Sequence, residues 1–230
     1  MLIKEGVYSI NGEPASREGV EKFFASLLKN TGTEYIISEY LQSHNDLKKI
    51  YPEPPSVLRI DIIRELNGEA QVMFADILFP TSKSGVTTNA ASNSVGCLVD
   101  FQTGSFYNPD MVMDGKIIQI SRHPDTNVLL EGVLPNWPLI CGKIPDICNS
   151  IPQLRLMGFD IIITNDGFKI VEINSLPGLS YMQGYFPVFK QENARAFFTR
   201  RLDEKKSRRW VEPEIARDLR FPSQKVKTNL

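Results

Sequence analysis

Two acidic side chains and an amide in the last third of the sequence could together hold a divalent cation. Asp160, Glu172 and Asn174 occur in the segment GFDIIITNDGFKIVEIN, which is otherwise rich in isoleucine. Two carboxylates that meet in apolar surroundings repel each other and lose their solvation unless a positive charge lies between them. Carboxylate and amide oxygens favour Mg²⁺ or Mn²⁺, ions that usually keep coordination positions for phosphates. The alternative is that Asp160 and Glu172 are solvated residues near strand ends.

A β-hairpin must position these residues. The loop Asn165-Asp166-Gly167 lies between two runs of branched residues, and it suits a three-residue turn whose glycine adopts the left-handed conformation. In that register Asp160 lies directly opposite Glu172, with Cβ atoms about 5 Å apart, and Asn174 points to the same side. A two-residue loop at Asp166-Gly167 would instead place the two carboxylates on opposite faces. The metal site therefore depends on this turn.

The composition is that of a globular protein with a sizeable core. The 230 residues are 42% hydrophobic, and 26 Lys+Arg against 27 Asp+Glu give a formal net charge of −1. This balance argues against nucleic-acid binding, and no apolar run approaches the length of a membrane span or of a signal-peptide core. We therefore expect a cytoplasmic protein with no membrane span. Cys97, Cys141 and Cys148 form no C-x-x-C pair, which indicates reduced structural cysteines.

The elements around the site are expected to build an α+β fold, with a mainly antiparallel sheet and packed helices. The strongest hairpin pairs 56–66 with 69–79 around Asn67-Gly68, and it places Arg59 on a strand. The other predicted elements are a helix that follows the N-cap Ser16 and ends by Gly32, a strand over 34–41, a short helical turn in 44–52, a polar loop over 80–96 and a proline-bounded helix within 138–154.

Several motifs in register carry a resemblance to a known family. They are EYIISEYLQSHNDLKKIYP, SVLRI, HPDTN..LEG, LPNW and GFDI…EIN..PGL, in this order. From about residue 8 to residue 184 the chain resembles the sugar-transfer-associated, or teichuronopeptide-synthesis-like, group of the ATP-grasp superfamily, which is related to the alpha-L-glutamate ligases. In that superfamily an Asp, then a Glu-x-Asn pair on the next strand, hold the magnesium ions of MgATP. The resemblance implies an ATP-grasp fold, with ATP and Mg²⁺ or Mn²⁺ as cofactors.

The resemblance also assigns roles to individual residues. It implies that Asp160, Glu172 and Asn174 hold the magnesium ions, with Glu172 bridging two of them. Arg59 would be the catalytic arginine directed at the phosphates, and Lys4 is a candidate for the phosphate-contacting lysine. The residues expected beside the adenine are Ile37, Glu39, Tyr40 and Leu41. This pattern suits phosphoryl transfer, which depends on positioning and on the neutralisation of charge.

The implied activity is that of an ATP- and Mg-dependent carboxylate-amine ligase that forms ADP through an acyl-phosphate. Its substrate would be a small molecule or a polymer precursor of a cell-surface polysaccharide or peptide. Residues 1–45 would be a remnant of the nucleotide-lid subdomain with the hinge strand. Residues 46–230 would be the C-terminal subdomain, with the metal-binding hairpin and a basic tail. The preceding N-terminal domain and the glycine-rich loop would be lacking, so that a second copy or a partner chain would complete the fold.

Three departures from the family pattern favour an alternative. Lys4 is the only lysine before the first helix and has no glycine cluster beside it. Leu78-Phe79-Pro80 stands where relatives tend to carry an arginine, and Asn93 and Ser94 stand where they often carry paired glycines. These departures favour a degenerate ATP-grasp module that acts as a non-catalytic nucleotide-binding or scaffold protein, whereas the intact metal ligands favour the ligase.

Simpler roles for four polar residues also stay open. Glu39 could be an exposed residue, and Arg59 could pair only with Asp61 or with a neighbouring strand. His44 could cap or pack as readily as contact a substrate. The HPDTN turn presents several polar groups together, and we expect no direct catalytic role for His123.

Overall fold

The computed structural model describes residues 2–4, 7–10, 13–29, 32, 34, 38–65, 68–84, 88, 93–113, 115–179, 183 and 186–208. The strands in this part are β1 Leu2–Lys4, β2 Val7–Ile10, β3 Glu13–Ala15, β4 Val57–Arg64, β5 Ala70–Phe79, β6 Val95–Val99, β7 Ser105–Met113, β8 Lys116–Gln119, β9 Gly132–Val133, β10 Leu156–Thr164 and β11 Gly167–Asn174. The helices are α1 Arg17–Leu28, α2 Asn45–Lys48, α3 Trp137–Ser150 and α4 Glu192–Arg208, with a 3₁₀ turn at Val188–Lys190. The described helices are all too short or too polar to cross a membrane.

A large antiparallel sheet forms the body of the fold. Its strand order is β11-β10-β4-β5-β6-β7-β8, and β9 pairs with β7. The predicted hairpin of β4 and β5 is confirmed, with Arg59 on β4 opposite Asp76 on β5. Asn67 in its turn lies outside the described residues. The predicted α+β class, with a mainly antiparallel sheet, is thereby confirmed.

Helix α3 covers one face of this sheet. Trp137, Ile140, Ile144 and Cys148 are the buried residues of α3, and they recur on one side of the helix because their spacing follows the helical period. They pack against buried apolar residues of β4, β5, β6 and β10. The predicted helix within 138–154 is confirmed, although Pro145 lies inside the helix and does not bound it.

The opposite face of the sheet carries a smaller apolar cluster at one end. Phe197 of α4 belongs to it, together with Phe74 of β5 and Leu98 of β6. Because side chains alternate along a strand, Phe74 and Leu98 project away from α3. The remainder of this face, beside the cluster, is where the polar residues of β4 and β10 lie.

The N-terminal part of the chain forms a small sheet in the order β1-β2-β3, followed by α1. The Oγ of Ser16 accepts a hydrogen bond from the backbone N–H of Gly19 at 3.1 Å, which confirms the predicted N-cap. Helix α1 ends at Leu28, before Gly32. The domain boundary after residue 45 stays a prediction.

The predicted strand over 34–41 is wrong in the part that is described. Residues 38–41 have no regular structure, and 35–37 lie outside the described residues. The chain that follows is held at two places: Ser43 Oγ accepts from the N–H of Ser56, just before β4, at 2.9 Å, and the N–H of His44 donates to the carbonyl of Ile163 in β10 at 2.6 Å. These hydrogen bonds make it a connection and not part of a ladder. The helical turn expected next is confirmed as α2.

Candidate functional site

Strand alternation on β4 gives this strand one apolar and one polar side. Leu58, Ile60 and Ile62 are almost fully buried in the core beneath α3. Arg59 and Asp61 lie between them in sequence and therefore project from the opposite face of the sheet. The sequence pattern apolar-Arg-apolar-Asp-apolar thus delivers a cation and an acid to the same side.

The neighbouring strand β10 repeats this arrangement. Phe159 is fully buried under α3, while Gly158 and Asp160 face the other way. In the antiparallel register Asp160 is the partner of Arg59, and Gly158 is the partner of Asp61. The polar side chains of the two strands therefore meet on one face.

The hairpin of β10 and β11 reaches the expected pairing by an unexpected route. Its loop is the two-residue Asn165-Asp166, so both loops considered from the sequence are wrong. Continued without interruption, this register would pair Glu172 with Phe159 on the side of α3. A β-bulge at Val171 shifts the register by one residue and restores Asp160 opposite Glu172. The bulge thus turns Glu172 to the polar side, where Asn174 lies opposite Gly158.

Arg59 forms a bidentate ion pair with Asp160. Its Nε lies 2.7 Å from Oδ1 and its Nη2 lies 3.0 Å from Oδ2, an arrangement that is stronger than a single hydrogen bond. Asn174 adds a longer contact, in which its Nδ2 donates to Oδ2 of Asp160 at 3.4 Å. Glu172 is exposed beside this group. The structure therefore brings together the predicted arginine and the three predicted metal ligands.

Asp61 is enclosed beside this ion pair. Its side chain is 0% exposed, and its nearest cation is Nη1 of Arg59, 3.8 Å from Oδ1. Neither carboxylate oxygen has a hydrogen-bond partner in the described part of the chain. A Cβ atom on Gly158 would lie 2.7 Å from Oδ1 of Asp61 and 2.7 Å from Cβ of Pro177. Only glycine leaves room at 158 for the Asp61 carboxylate and the Pro177 ring to approach so closely.

Burial dominates the electrostatics of both acids. It raises the pKa of Asp160 above its usual range; Arg59 opposes this rise and the charge of Glu172 adds to it. Burial likewise raises the pKa of Asp61 to about 7, with Arg59 opposing the rise and the charge of Asp160 adding to it. One guanidinium therefore does not compensate for two desolvated carboxylates.

The donor chemistry of Asp160, Glu172 and Asn174 fits a hard divalent cation. These side chains offer two carboxylates and an amide oxygen on adjacent strands, and added positive charge would relieve the desolvation of Asp160. Within the described residues no three His, Cys, Asp or Glu side chains cluster tightly enough to bind a metal, since the third donor here is an amide. A cation at this site would have to compete with Arg59 for Asp160.

The structure describes only some of the residues predicted to contact the nucleotide. Glu39 is exposed, while Tyr40 and Leu41 are half-buried. Ile37 and the side chain of Lys4 lie outside the described part of the chain, although the backbone of Lys4 belongs to β1. Their contacts to a nucleotide stay predictions.

The positions at which the sequence departs from the family pattern have clear local structures. Leu78 and Phe79 are buried on β5, and Pro80 follows them, so this stretch offers no cation. Asn93 has a positive φ of 58°, a conformation that glycine adopts more readily. Ser94 is buried, and its Oγ lies 3.3 Å from Oγ of Ser84.

Both histidines have structural roles in the fold. Nδ1 of His44 accepts from the N–H of Asp46 at 3.1 Å and caps α2. His123 is buried, and its Nε2 lies 2.8 Å from the carbonyl oxygen of Pro80. Its Nδ1 accepts from the N–H groups of Asp125 and Thr126, so Nε2 carries the proton that it donates to Pro80.

Asp61 was predicted from the sequence only as a partner for Arg59, and Gly158 was not predicted to belong to the site. The signal for Asp61 was its position two residues after Arg59 in a strand whose other residues are apolar. The Gly158 that precedes Phe159-Asp160 signalled a close approach of backbone and side chain. Both residues shape the surroundings of Arg59 and Asp160.

Comparison with known proteins gave a match to a protein family. The profile of the family described as sugar-transfer associated ATP-grasp matches residues 2–191. No curated protein and no solved structure matches the chain significantly. The match supports ATP binding and a general ATP-dependent, ligase-like function. Because the match spans most of the chain, and the fold is the antiparallel α+β arrangement expected for it, the chain belongs to the sugar-transfer associated ATP-grasp family.

Proposed function

We propose that the protein is an ATP- and Mg-dependent carboxylate-amine ligase. The observation that carries the proposal is the convergence of Asp160, Glu172 and Asn174 with Arg59 on one face of the sheet. Family membership supports the use of ATP. Carboxylates that place cations, together with an arginine, are the equipment that phosphoryl transfer requires.

In the proposed reaction a substrate carboxylate attacks the γ-phosphorus of ATP and ADP leaves. An amine then attacks the acyl-phosphate carbonyl, so that the amide forms and phosphate is released. Divalent cations would supply neutralisation of charge on the phosphates. Asp160, Glu172 and Asn174 would hold those cations, and Arg59 would orient the transferring phosphoryl group. Ile37, Glu39, Tyr40, Leu41 and Lys4 are proposed as nucleotide contacts.

The biological setting is part of the same proposal. The acceptor would be a small molecule or a precursor of a cell-surface polysaccharide or peptide, modified in the cytoplasm. A second copy or a partner chain would supply contacts to the acid and the amine. The family description, which associates these proteins with sugar transfer, is the support for a polysaccharide-related substrate.

A second candidate function is that of a non-catalytic nucleotide-binding or scaffold module. The bidentate Arg59–Asp160 pair favours it, because a metal ligand is already neutralised by an arginine. The buried Leu78-Phe79-Pro80 stretch also favours it, since it provides no phosphate contact.

Calorimetric titration with ATP, with and without Mg²⁺, tests both candidates. The Glu172→Gln variant removes one charge at nearly constant shape, and Glu69→Gln is a matched control because Glu69 is exposed before β5. We expect Mg-dependent binding in the wild type and the control, and a loss of at least about tenfold in Glu172→Gln. ADP release with candidate acids and amines would then separate the ligase from the non-catalytic module. A folded wild-type protein that binds no ATP would exclude the ligase.

A further inference from the structure

Arg59 lies between two carboxylates that make unequal use of it. It gives Nε and Nη2 to Asp160, at 2.7 and 3.0 Å. Its remaining terminal nitrogen, Nη1, is 3.8 Å from Oδ1 of Asp61, which is about 1 Å too long for a good hydrogen bond. A small rotation of the guanidinium would complete a bond to Asp61.

Asp61 lacks the partners that a buried carboxylate normally has. Its side chain is 0% exposed, and within the described residues neither oxygen accepts a hydrogen bond. Buried polar groups are almost always hydrogen-bonded, and each exception calls for an explanation. Removing water from a carboxylate without providing donors is costly. A position of Arg59 closer to Asp61 would remove this cost by providing donors.

The surroundings of Asp61 keep it in place. Gly158 leaves the space in which Asp61, Arg59 and Pro177 meet, since a Cβ there would lie 2.7 Å from Oδ1 of Asp61 and 2.9 Å from Nη1 of Arg59. Pro177, which follows β11, closes this space. Asp61 is fully enclosed, whereas the side chain of Arg59 is 27% exposed, so the arginine is the partner with room to move.

We propose that Asp61 is a positioning residue that receives Arg59 when a divalent cation binds Asp160. The inference rests on the proposed function, because it requires Asp160 to be a metal ligand. In this structure Arg59 supplies positive charge to Asp160 through the bidentate pair. When a cation takes Asp160, the guanidinium moves toward Asp61, where it stays beside the phosphate site and gains a full ion pair.

Displacement of Arg59 from Asp160 by the cation would couple Arg59 and Asp61 thermodynamically in their effects on cation affinity. Without Asp61, Arg59 has no second carboxylate within 4 Å in the described part of the chain. It then competes more strongly for Asp160, and the cation binds less tightly. Without Arg59, the described residues offer Asp160 no other ion-pair partner, and Asp61 attracts the cation only through space. The effect of losing Asp61 must therefore depend on the presence of Arg59.

A double-mutant cycle on the affinity for Mn²⁺ alone measures this coupling. The proteins are the wild type, Asp61→Asn, Arg59→Gln and the double variant, each checked for folding by circular dichroism. We expect Asp61→Asn to weaken Mn²⁺ binding about tenfold when Arg59 is present and no more than about threefold in the Arg59→Gln background. Arg59→Gln alone should bind Mn²⁺ more tightly than the wild type.

A second measurement needs only the wild type and an assignment variant. The Nε–H resonance of Arg59, assigned by its loss in Arg59→Lys, should shift when Mg²⁺ is added, because the donor leaves Asp160. An unchanged resonance at saturating Mg²⁺ would overturn the proposed movement of Arg59, even if Asp61→Asn failed to fold.

The outcomes separate this inference from the proposed function. Equal weakening of Mn²⁺ binding by Asp61→Asn in both backgrounds would show that Asp61 acts only through space. The proposed movement of Arg59 would then be wrong, and the metal site would still be supported. Binding of Mn²⁺ to Arg59→Gln but not to the wild type would show that Arg59 never leaves Asp160, which also overturns the proposed movement of Arg59. No Mn²⁺ binding in any protein, with or without ATP, would reject the metal site itself.

Discussion

Two polar clusters in this fold are built from similar residues but differ in how their hydrogen bonds are satisfied. We call His123, Asp125 and Thr126 the His123 cluster, and Arg59, Asp61 and Asp160 the Arg59 cluster. In the His123 cluster both ring nitrogens of His123 are used. In the Arg59 cluster one guanidinium faces two acids, and Asp61 is left without a hydrogen bond among the described residues.

The His123 cluster joins three separate segments. His123 binds the carbonyl of Pro80, and Asp125 accepts from the N–H and the Oγ of Ser82 at 2.8 and 2.9 Å. Thr126 donates to the carbonyl of Ile50 at 2.8 Å. A satisfied network of this kind rigidifies the fold and leaves nothing for a ligand to complete.

The contrast separates stability from function in a testable way. Removing a member of a satisfied cluster leaves polar groups unpaired and destabilises the protein. Removing the uncompensated charge of an unsatisfied cluster removes the free-energy cost of burying that charge and stabilises the protein. It also removes the function that the charge serves. The two clusters should therefore respond to substitution with opposite signs.

The largest effect is expected from His123→Ala. The substitution leaves the carbonyl of Pro80 and two N–H groups without partners, and it removes a ring whose centroid lies 4.9 Å from that of Tyr51. We expect a loss of about 3 kcal/mol in the free energy of unfolding. Denaturant titration measures it, and His44→Ala is a matched control that loses only a helix cap, about 1 kcal/mol. Equal losses in the two variants would show that the buried network adds nothing.

The Asp61→Asn substitution should have the opposite sign and a marked pH dependence. Burial raises the pKa of Asp61 from 3.8 to about 7, so between these values the folded state binds more protons than the unfolded state. The stability of the wild type therefore falls as the pH rises from about 4 to about 7, and the variant lacks this fall. A rise of about three pH units corresponds to about 4 kcal/mol. The amide, itself buried without partners, retains about half of that penalty.

We accordingly expect Asp61→Asn to exceed the wild type by about 2 kcal/mol at about pH 8 and to be less stable than it by about 2 kcal/mol near pH 4, where Asp61 is protonated. Unfolding titrations at the two pH values measure the difference. The control is Asp125→Asn, which should lose stability because its amide N–H₂ would face the donors of Ser82. A variant less stable than the wild type at the higher pH would show that Asp61 already holds Arg59 in the resting fold.

The sequence predicted which polar residues of β4, β10 and β11 meet on one face of the sheet, but not the backbone that brings them together. Alternation places Arg59 on β4, and the branched runs predict both strands of the hairpin. The loop length was wrong, and the pairing of Asp160 with Glu172 depends on a bulge at Val171. No residue type at 171 announces a bulge. It follows from the packing of Ile170 and Ile173 against the core beneath α3, which is a tertiary constraint.

The same limit explains the errors elsewhere. The aromatic and branched residues of 34–41 predicted a strand, but residues 38–41 lead into a connection in which Ser43 accepts a hydrogen bond from Ser56, just before β4, and His44 donates one to Ile163 of β10. Propensity does not report such long-range partners. The unsatisfied state of Asp61 was equally hidden, because the sequence shows that an acid follows Arg59 but not that Gly158 and Pro177 enclose it.

The smallest effect is expected from Thr126→Val, which tests whether the His123 cluster acts as a unit. The substitution keeps the shape of the side chain and removes the hydrogen bond from Oγ1 to the carbonyl of Ile50. We expect a loss of about 1 kcal/mol in the free energy of unfolding. The N–H of Thr126 also donates to His123, so the hydroxyl is held in place partly by the histidine ring. In the His123→Ala background the same substitution should therefore cost less than half as much. Equal losses in the two backgrounds would mean that the hydrogen bonds of the His123 cluster contribute independently. The two clusters would then differ in how many hydrogen bonds they form and not in whether those bonds are cooperative.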